Sequence, residues 1–290
     1  MIIKYFPNFI LQGVFFIVFL FQTGYSAEES DSTFISHIDS SLQHLIQIQK
    51  EISDIHPFLN IFHPVVIAEG DYLYIFDYNT LTGRYNYIKK EPTPFPLPKK
   101  VRASFPLSVY DAKPSCIVTQ DIFDSENGYV TIFHEFMHCC QFLNCELVLK
   151  QDLKIAQDAQ ARNDYSWEIN HSFPYEDSLF IEDYTLFIEA LDNGDERAIL
   201  AYRIELEQHL GQVDYEYMVW MEWKEGFARL IENRLQSHLG ITENHYGQQK
   251  PYNRVTFYVG GSKFIHYLIQ DKPDLYTDIE KLFHQMLSYY

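Results

Sequence analysis

The chain lacks the features that mark several large classes of protein. It has no C-x-x-C pair, so a metal site built from thiolates is not indicated. It has no internal repeat and no long low-complexity tract, which favours one folded unit over an array of small ones. It also has no basic cluster, because Lys89-Lys90 and Lys99-Lys100 are isolated pairs.

The charge balance is acidic. The 290 residues include 22 Lys and Arg against 40 Asp and Glu, which gives a formal net charge of −18 at pH 7. A chain of this charge repels nucleic acid and anionic membrane surfaces. We therefore expect neither polynucleotides nor lipid headgroups among its partners.

The amino terminus has the pattern of a cleavable secretory signal. Lys4 supplies a positive charge, an apolar run follows from Phe9 to Phe21, and Gly24 and Ser26 suit the small positions before a cleavage site. The apolar run of roughly 13 residues is shorter than the ~20 needed to span a bilayer. We expect residues 1–26 to be a signal peptide, and the mature chain to be secreted or periplasmic with no membrane span.

Cysteines are few and do not define a framework. The four are Cys116, Cys139, Cys140 and Cys145. An even number permits disulfides in an exported protein, but Cys139 and Cys140 are neighbours on a predicted helix and are not expected to bond each other. A bond from Cys116 to one of the others and four buried free thiols both stay open.

The first half of the chain predicts a helix followed by a small sheet. Apolar residues three or four apart predict an amphipathic helix from Thr33 to about Ile55. Val65–Ile67 and Tyr72–Phe76 flank the turn-like Glu69-Gly70-Asp71, which predicts a hairpin. Four alternating prolines between residues 92 and 98 predict an extended loop. Further short strands are predicted at Tyr85–Ile88, Leu107–Tyr110 and Cys116–Thr119.

The second half of the chain has patterns that predict helices and no strands. They are Tyr129–Leu149, Gln151–Arg162, Ser178–Leu191, Glu196–Leu210, Tyr217–Leu239, Val255–Gln270 and Tyr276–Tyr289. Gly211 ends one of these helices. A sheet-containing lobe over residues 27–128 and a helical lobe over residues 129–290 give an α+β arrangement within a single domain.

One predicted helix carries the pattern H-E-x-x-H at His134, Glu135 and His138. Histidines four residues apart lie on one helix face, so their imidazoles can converge on one ion. Glu135 lies beside that face and can reach a water at the ion without being a ligand. The alternative is a chance pattern on a buried helix, but an unpaired Glu135 among apolar residues would be costly.

Two histidines need a third protein ligand to form a catalytic zinc site. The pattern H-E-x-x-H-x-x-G-x-x-H would supply a third histidine six residues after His138. In this chain Asn144 stands at that position, and Gln141 stands where the pattern has glycine. The next distinctive segment is Glu225-Gly226-Phe227-Ala228, on the long predicted helix.

The combination of H-E-x-x-H with E-G-F-A resembles the gluzincin peptidases, notably those of the membrane alanyl aminopeptidase type. The resemblance implies a zincin-like fold and a zinc ion held by His134, His138 and Glu225. It also implies that Glu135 is the general base, and that peptides or proteins are the substrates.

Other carboxylates on the same helix have two interpretations. Glu225 is either the third ligand or an exposed carboxylate paired with Arg229. Glu222 and Glu232 either orient the ligands or are solvated helix charges. Gly226 and Ala228 are small, so they would let this helix approach the helix of His134 and His138 closely.

A third segment, Tyr258-Val259-Gly260-Gly261, is similar to the start of the helix on which those peptidases carry a catalytic tyrosine. By that match, Tyr258 would donate a hydrogen bond to the oxyanion of the reaction. Core packing of Tyr258 is the alternative, and Tyr252 is the competing candidate.

The chain also departs from that family. His138 and Glu225 are separated by an insert, about residues 146–221, that must fold as extra helices and return the chain to the metal. Lys224 stands where the family motif has asparagine, and no G-x-M-E-N loop is present to hold a substrate amino terminus. Within the insert, His171 either lines the cleft and assists Tyr258, or is an ordinary packing or surface residue.

These observations predict a zinc hydrolase, most directly a metallopeptidase. A zinc hydrolase acting on a non-peptide amide or ester, and a non-catalytic exported binding protein that keeps the fold, are the alternatives.

Overall fold

The structure is a computed structural model that describes the backbone of residues 9–289 and the side chains of residues 31–289. The predicted signal peptide, residues 1–26, lies outside the described side chains. The helices are α1 (Phe9–Ile52), α2 (Glu126–Gln141), α3 (Leu147–Asp152), α4 (Lys154–Ala161), α5 (Trp167–Asn170), α6 (Ser178–Asn193), α7 (Glu196–His238), α8 (Thr256–Asp271) and α9 (Ile279–Leu287). The strands are β1 (Val65–Glu69), β2 (Tyr72–Asn79), β3 (Arg84–Pro92), β4 (Arg102–Leu107) and β5 (Lys113–Val118).

The five strands form one sheet in the order β3-β2-β1-β5-β4. The pair β1–β5 is parallel and the other neighbouring pairs are antiparallel. The predicted hairpin is confirmed: Glu69 pairs with Tyr72, and Gly70 between them has φ 57°. That left-handed conformation suits glycine. The predicted α+β class is therefore confirmed at the level of a mixed fold with a five-stranded sheet.

The predicted strand at Leu107–Tyr110 is wrong. The strand β4 ends at Leu107, where it pairs with Lys113 of β5. Asp111 and Ala112 have φ 51° and 52°, and Tyr110 N–H donates to the Leu107 carbonyl at 2.8 Å. The apolar run therefore belongs to a tight turn, and β4 lies upstream of it, at one edge of the sheet.

Alternation along the strands divides the sheet into two faces. Val65 and Ile67 of β1 lie in the main apolar core with the helices, whereas Val66 lies in a smaller core on the opposite face. Helix α2 packs against β4 and β5, and α1 packs against β3. The H-E-x-x-H helix is thus set against an edge of the sheet. Among the described residues, no helix combines the length and the apolar character needed to cross a bilayer.

Helix α2 begins where the sequence provides a cap and a small residue. Ser125 Oγ accepts a hydrogen bond from Gly128 N–H at 3.2 Å. A Cβ atom on Gly128 would lie 1.7 Å from the carbonyl oxygen of Ile122, so only glycine allows this approach of the preceding turn. The helix runs without a break through His138 to Gln141.

Helix α7 is broken at Gly211, which has φ 68° and ψ 173°. The predicted helix end at this glycine is confirmed. Arg203 and Glu222, on either side of the break, form an ion pair of 2.7 Å between Nη1 and Oε2. In a straight helix, residues 19 positions apart would be separated by about 28 Å. The chain therefore folds back at Gly211, and the insert of residues 146–221 forms α3 to α6 and the first part of α7.

The second part of α7 crosses α8 at very short range. A Cβ on Gly226 would lie 2.6 Å from the Gly261 carbonyl carbon, and a Cβ on Gly261 would lie 2.1 Å from the Glu222 carbonyl oxygen. The expectation that Gly226 faces α2 was therefore wrong, because its close partner is α8. This crossing sets Tyr258 of α8 beside the face of α7 that carries Glu225.

Candidate metal centre

His134 and His138 of α2 converge with Glu225 of α7. The two Nε2 atoms are 3.3 Å apart, and Glu225 Oε2 lies 3.4 Å from His138 Nε2 and 3.7 Å from His134 Nε2. None of the three side chains is more than 12% exposed. The helical spacing explains the first contact, and the packing of α7 against α2 supplies the third group.

Each imidazole is held by its other nitrogen. His134 Nδ1 lies 2.9 Å from Glu232 Oε2, and a carboxylate can only accept, so Nδ1 carries the proton. His138 Nδ1 lies 2.9 Å from Gln141 Oε1. Gln141 uses its Nε2 to donate to the backbone carbonyls of Trp223 and Lys224, so its Oε1 is the acceptor. Both Nε2 atoms therefore face Glu225, and with Nδ1 as the outward donor each Nε2 is the nitrogen that could bind a metal.

Glu232 is itself held from two sides. Arg229 Nε donates to its Oε2 at 3.1 Å, and Asn244 Nδ2 donates to its Oε1 at 2.8 Å. Burial raises the pKa of Glu232, but hydrogen bonding to His134 and the neighbouring positive charges outweigh burial and lower it to about 2. A fixed, ionised carboxylate thus orients His134.

The carboxylates favour a positive charge between the imidazoles. Burial lowers the pKa of His134, but hydrogen bonds to Glu225 and Glu232 outweigh burial and raise it to about 10. Burial acts to raise the pKa of Glu225, but the charges of and bonds to the two histidines hold it well below its usual range. The site is built to stabilise a cation.

The donor set fits a divalent transition-metal ion. Zinc bonds histidine nitrogen and carboxylate oxygen at about 2.0–2.2 Å, so ligand atoms at tetrahedral angles are about 3.4 Å apart. The three separations here are 3.3, 3.4 and 3.7 Å. His134, His138 and Glu225 form the one such group among the described residues, with ligand atoms within 4.8 Å of one another. Three protein ligands leave one position of a tetrahedral ion for water or substrate.

Glu135 and Tyr258 lie near this group. Glu135 is buried, and its charge raises the pKa of both His134 and Tyr258. Burial, followed by the charge of Glu225, holds the pKa of Tyr258 well above its usual range. The Tyr258 hydroxyl therefore keeps its proton at neutral pH and can donate a hydrogen bond.

Arg254 is a site residue that the sequence analysis missed. Its Nη1 lies 3.6 Å from Glu225 Oε1, and its Cζ lies 5.7 Å from the centre of the Tyr258 ring. Arg254 lies in the turn just before α8, four residues ahead of Tyr258, so its closeness in sequence to Tyr258 is the signal that could have found it. Gln141 and Asn244 were missed too, because amides that hold ligands have no motif of their own.

The exposed alternative for Glu225 is wrong. Its side chain is only 12% exposed, and Arg229 pairs with Glu232 rather than with Glu225. The solvated interpretation is equally wrong for Glu222, which is fully buried. Glu222 receives a 2.9 Å hydrogen bond from Tyr184 and pairs with Arg203, so it belongs to a separate cluster.

The remaining predicted residues lie apart from the three ligands. His171 Nε2 lies 2.6 Å from Asp214 Oδ1, and its ring packs on Tyr217. Among the described side chains, those two are its partners, and Tyr258 is not one of them. The hydroxyl of Tyr252, the competing candidate for the catalytic tyrosine, lies 2.8 Å from Thr185 Oγ1.

Lys224, the departure from the family motif, points into the insert. Its ammonium donates to Glu168 at 2.7 Å and to Glu146 at 3.1 Å. Burial lowers the pKa of Lys224, but these carboxylates outweigh burial and raise it above its ordinary value. Lys224 therefore ties residues 146–168 to α7, and only its backbone carbonyl serves the candidate centre.

The cysteines form no second reactive centre among the described residues. All four are buried free thiols, which resolves the alternatives left open by the sequence. Cys140 Sγ lies 3.2 Å from His63 Nε2, but burial raises the pKa of Cys140 to about 12 and lowers that of His63 to about 4. The pair is a neutral thiol beside a neutral imidazole, which is not an activated nucleophile.

Comparison with protein-family models, with curated proteins and with solved structures finds no match to this chain. The geometry of the site is therefore the basis for any statement about function.

Proposed function

We propose that the protein is a zinc-dependent hydrolase with a zincin-like fold, and that it cleaves peptide bonds. The observation that carries the proposal is the set of three ligand-atom separations, 3.3, 3.4 and 3.7 Å, between two imidazole nitrogens and one carboxylate oxygen. The outward nitrogens of both histidines are held by Glu232 and Gln141, which supports a ligand role for the inward ones.

The residues around the three ligands supply the parts of a hydrolytic reaction. When bound, zinc polarises a carbonyl group and makes water more acidic. Glu135 would take the proton of the attacking water and pass it to the leaving amine. Tyr258, which keeps its proton at neutral pH, would donate a hydrogen bond to the oxyanion of the tetrahedral intermediate.

An extended peptide fits the architecture better than a compact ester. Strand β4 is an edge of the described sheet, and the H-E-x-x-H helix packs against it. An edge strand offers unpaired backbone groups that a peptide in extended conformation can use. This supports peptides over the other amide or ester substrates that the same three ligands would permit.

The test is zinc content and hydrolysis in the wild type and in Glu135→Gln. We expect both proteins to hold one zinc, and the variant to lose about 10²- to 10⁴-fold in activity because a general base contributes that much. Glu243→Gln, an exposed carboxylate, is the matched control and should keep full activity. Equal hydrolysis by the wild type and Glu135→Gln would rule out the base assignment, and zinc without any hydrolysis would favour a non-catalytic binding protein.

A further inference from the structure

Arg254 brings a cationic side chain close to Glu225, one of the three candidate metal ligands. Its Nη1 is 3.6 Å from the Glu225 oxygen that faces away from the histidines, which is longer than a normal hydrogen bond. Among the described side chains, Glu225 is its one ion-pair partner. The side chain is 34% exposed, so its remaining donors can reach a molecule that approaches from solvent.

A tyrosine ring lies beside this guanidinium. The Arg254 Cζ lies 5.7 Å from the centre of the Tyr258 ring, which is within cation–π range. An aromatic ring restricts the side chain without neutralising its charge. Arginine held in this way is suited to bind a carboxylate through two parallel hydrogen bonds.

The charges of the centre leave Arg254 uncompensated. A divalent cation would balance the single negative charges of Glu225 and Glu135, and Arg229 balances Glu232 at 3.1 Å. Arg254 then remains as one net positive charge beside the ligands, in a chain whose formal net charge is −18. A partly buried positive group in an acidic protein favours an anionic ligand.

We infer that Arg254 selects substrates that carry a carboxylate one residue from the scissile bond. This inference rests on the proposed hydrolysis at the same site. Three covalent bonds separate the scissile carbonyl carbon from the C-terminal carboxylate of the next residue, and three also separate it from the carboxylate of an aspartate that supplies that carbonyl. Both carboxylates are within reach of Arg254, so the shared chemistry is a carboxylate adjacent to the bond that is cut.

The experiment compares matched peptides in wild type, Arg254→Gln and Arg254→Lys, each loaded with zinc. In the first pair of peptides, the residue after the cleaved bond ends in either a free carboxylate or an amide. In the second pair, the residue before the cleaved bond is either Asp or Asn. We expect the wild type to prefer one acid over its neutral partner by about 10- to 100-fold in kcat/KM, because hydrogen bonds to charged groups contribute that much. The preference should disappear in Arg254→Gln and persist in part in Arg254→Lys. The pair that shows the preference identifies which carboxylate is bound.

A purely structural role, in which Arg254 acts through Glu225, would lower kcat/KM equally for acid and neutral peptides and would lower zinc content. Lys250→Gln, which removes an exposed positive charge from the same loop, is the matched control and should leave the acid preference unchanged. Equal cleavage of acid and neutral peptides by the wild type, or an undiminished preference in Arg254→Gln, would overturn the inference while leaving the proposed hydrolase intact.

A binding measurement separates the two proposals. Calorimetry with the zinc-loaded Glu135→Gln protein should show tighter binding of the acid peptide than of its neutral partner, and Arg254→Gln in that background should abolish the difference. Selective binding without cleavage by the wild type would sustain the carboxylate site and contradict the hydrolase. Absence of both selective binding and cleavage would contradict both.

Discussion

Two buried carboxylates on α7, Glu222 and Glu225, are one turn apart and have different surroundings. Glu222 faces Arg203 at 2.7 Å and Tyr184 at 2.9 Å, so its charge is balanced within the protein. Glu225 faces the Nε2 atoms of two imidazoles, and Arg254 approaches only its far oxygen. The first cluster is internally neutral, whereas the second favours an added cation.

The difference teaches that burial alone does not mark a functional carboxylate. A buried ion pair such as Arg203–Glu222 is a structural element, because removal of one partner leaves the other charge uncompensated. A carboxylate among acceptor atoms requires a positive charge from elsewhere. The substitutions below separate the two carboxylates, from the largest expected effect to the smallest.

Glu222→Gln should reduce stability more than any other single change in this comparison. It leaves Arg203 buried without its counter-charge, which costs about 3–5 kcal/mol. Urea unfolding of the metal-free protein measures the loss. If the Glu222→Gln protein unfolds at the wild-type urea concentration, the ion pair is not a structural element.

Glu225→Gln should affect zinc affinity strongly and stability less. We expect a loss of zinc affinity greater than the 10- to 100-fold typical of residues that only hold a ligand, with a smaller change in stability than in Glu222→Gln. Competition with a chelator measures the affinity. Wild-type zinc affinity in Glu225→Gln would contradict the assignment of the third ligand.

Glu232→Gln should reduce zinc affinity, but by less than Glu225→Gln does. It removes the negative charge of the group that holds His134 Nδ1, and such partners contribute about 10- to 100-fold in metal affinity. The same chelator competition measures it. Glu189→Gln, on α6, is a control carboxylate that should leave the affinity unchanged.

A second cluster has charges that balance within the protein, and it consists of Lys224, Lys150, Glu146 and Glu168. This cluster predicts a pH dependence of stability. Burial raises the pKa of Glu168, but Lys224 and Lys150 outweigh burial and lower it to about 2, below the ordinary value of 4.5. Because the folded-state pKa is lowered, this stabilisation is present above about pH 4.5 and is lost as the pH falls toward 2. Urea unfolding between pH 6 and pH 3 should show a smaller decline in Glu168→Gln than in the wild type. Parallel declines would show that Glu168 has no such role.

The sequence predicted those features that depend on local spacing. His134 and His138 share a helix face because they are four residues apart, Gly70 forms its hairpin turn, and Gly211 ends a helix. The α+β class followed from the strands predicted before residue 128 and the helices predicted after it.

The features that depend on long-range packing could not be predicted in the same way. Nothing near Gly226 indicates that its close partner is Gly261 of α8 rather than α2. Glu222 and Glu232 are both helical glutamates flanking Glu225, and only the folded chain shows that one faces Arg203 and the other His134. Arg254 lies 29 residues beyond Glu225, and its role depends on how α8 crosses α7.

X-ray absorption at the zinc edge, on the purified protein reconstituted with one equivalent of zinc, tests the central claim most directly. We predict two imidazole nitrogens at about 2.0–2.1 Å, carboxylate oxygen at about 2.0–2.2 Å and no sulfur, with the imidazole signal lost in a protein carrying both His134→Ala and His138→Ala. A sulfur shell at about 2.3 Å, or an unchanged spectrum in that double variant, would contradict the assigned centre.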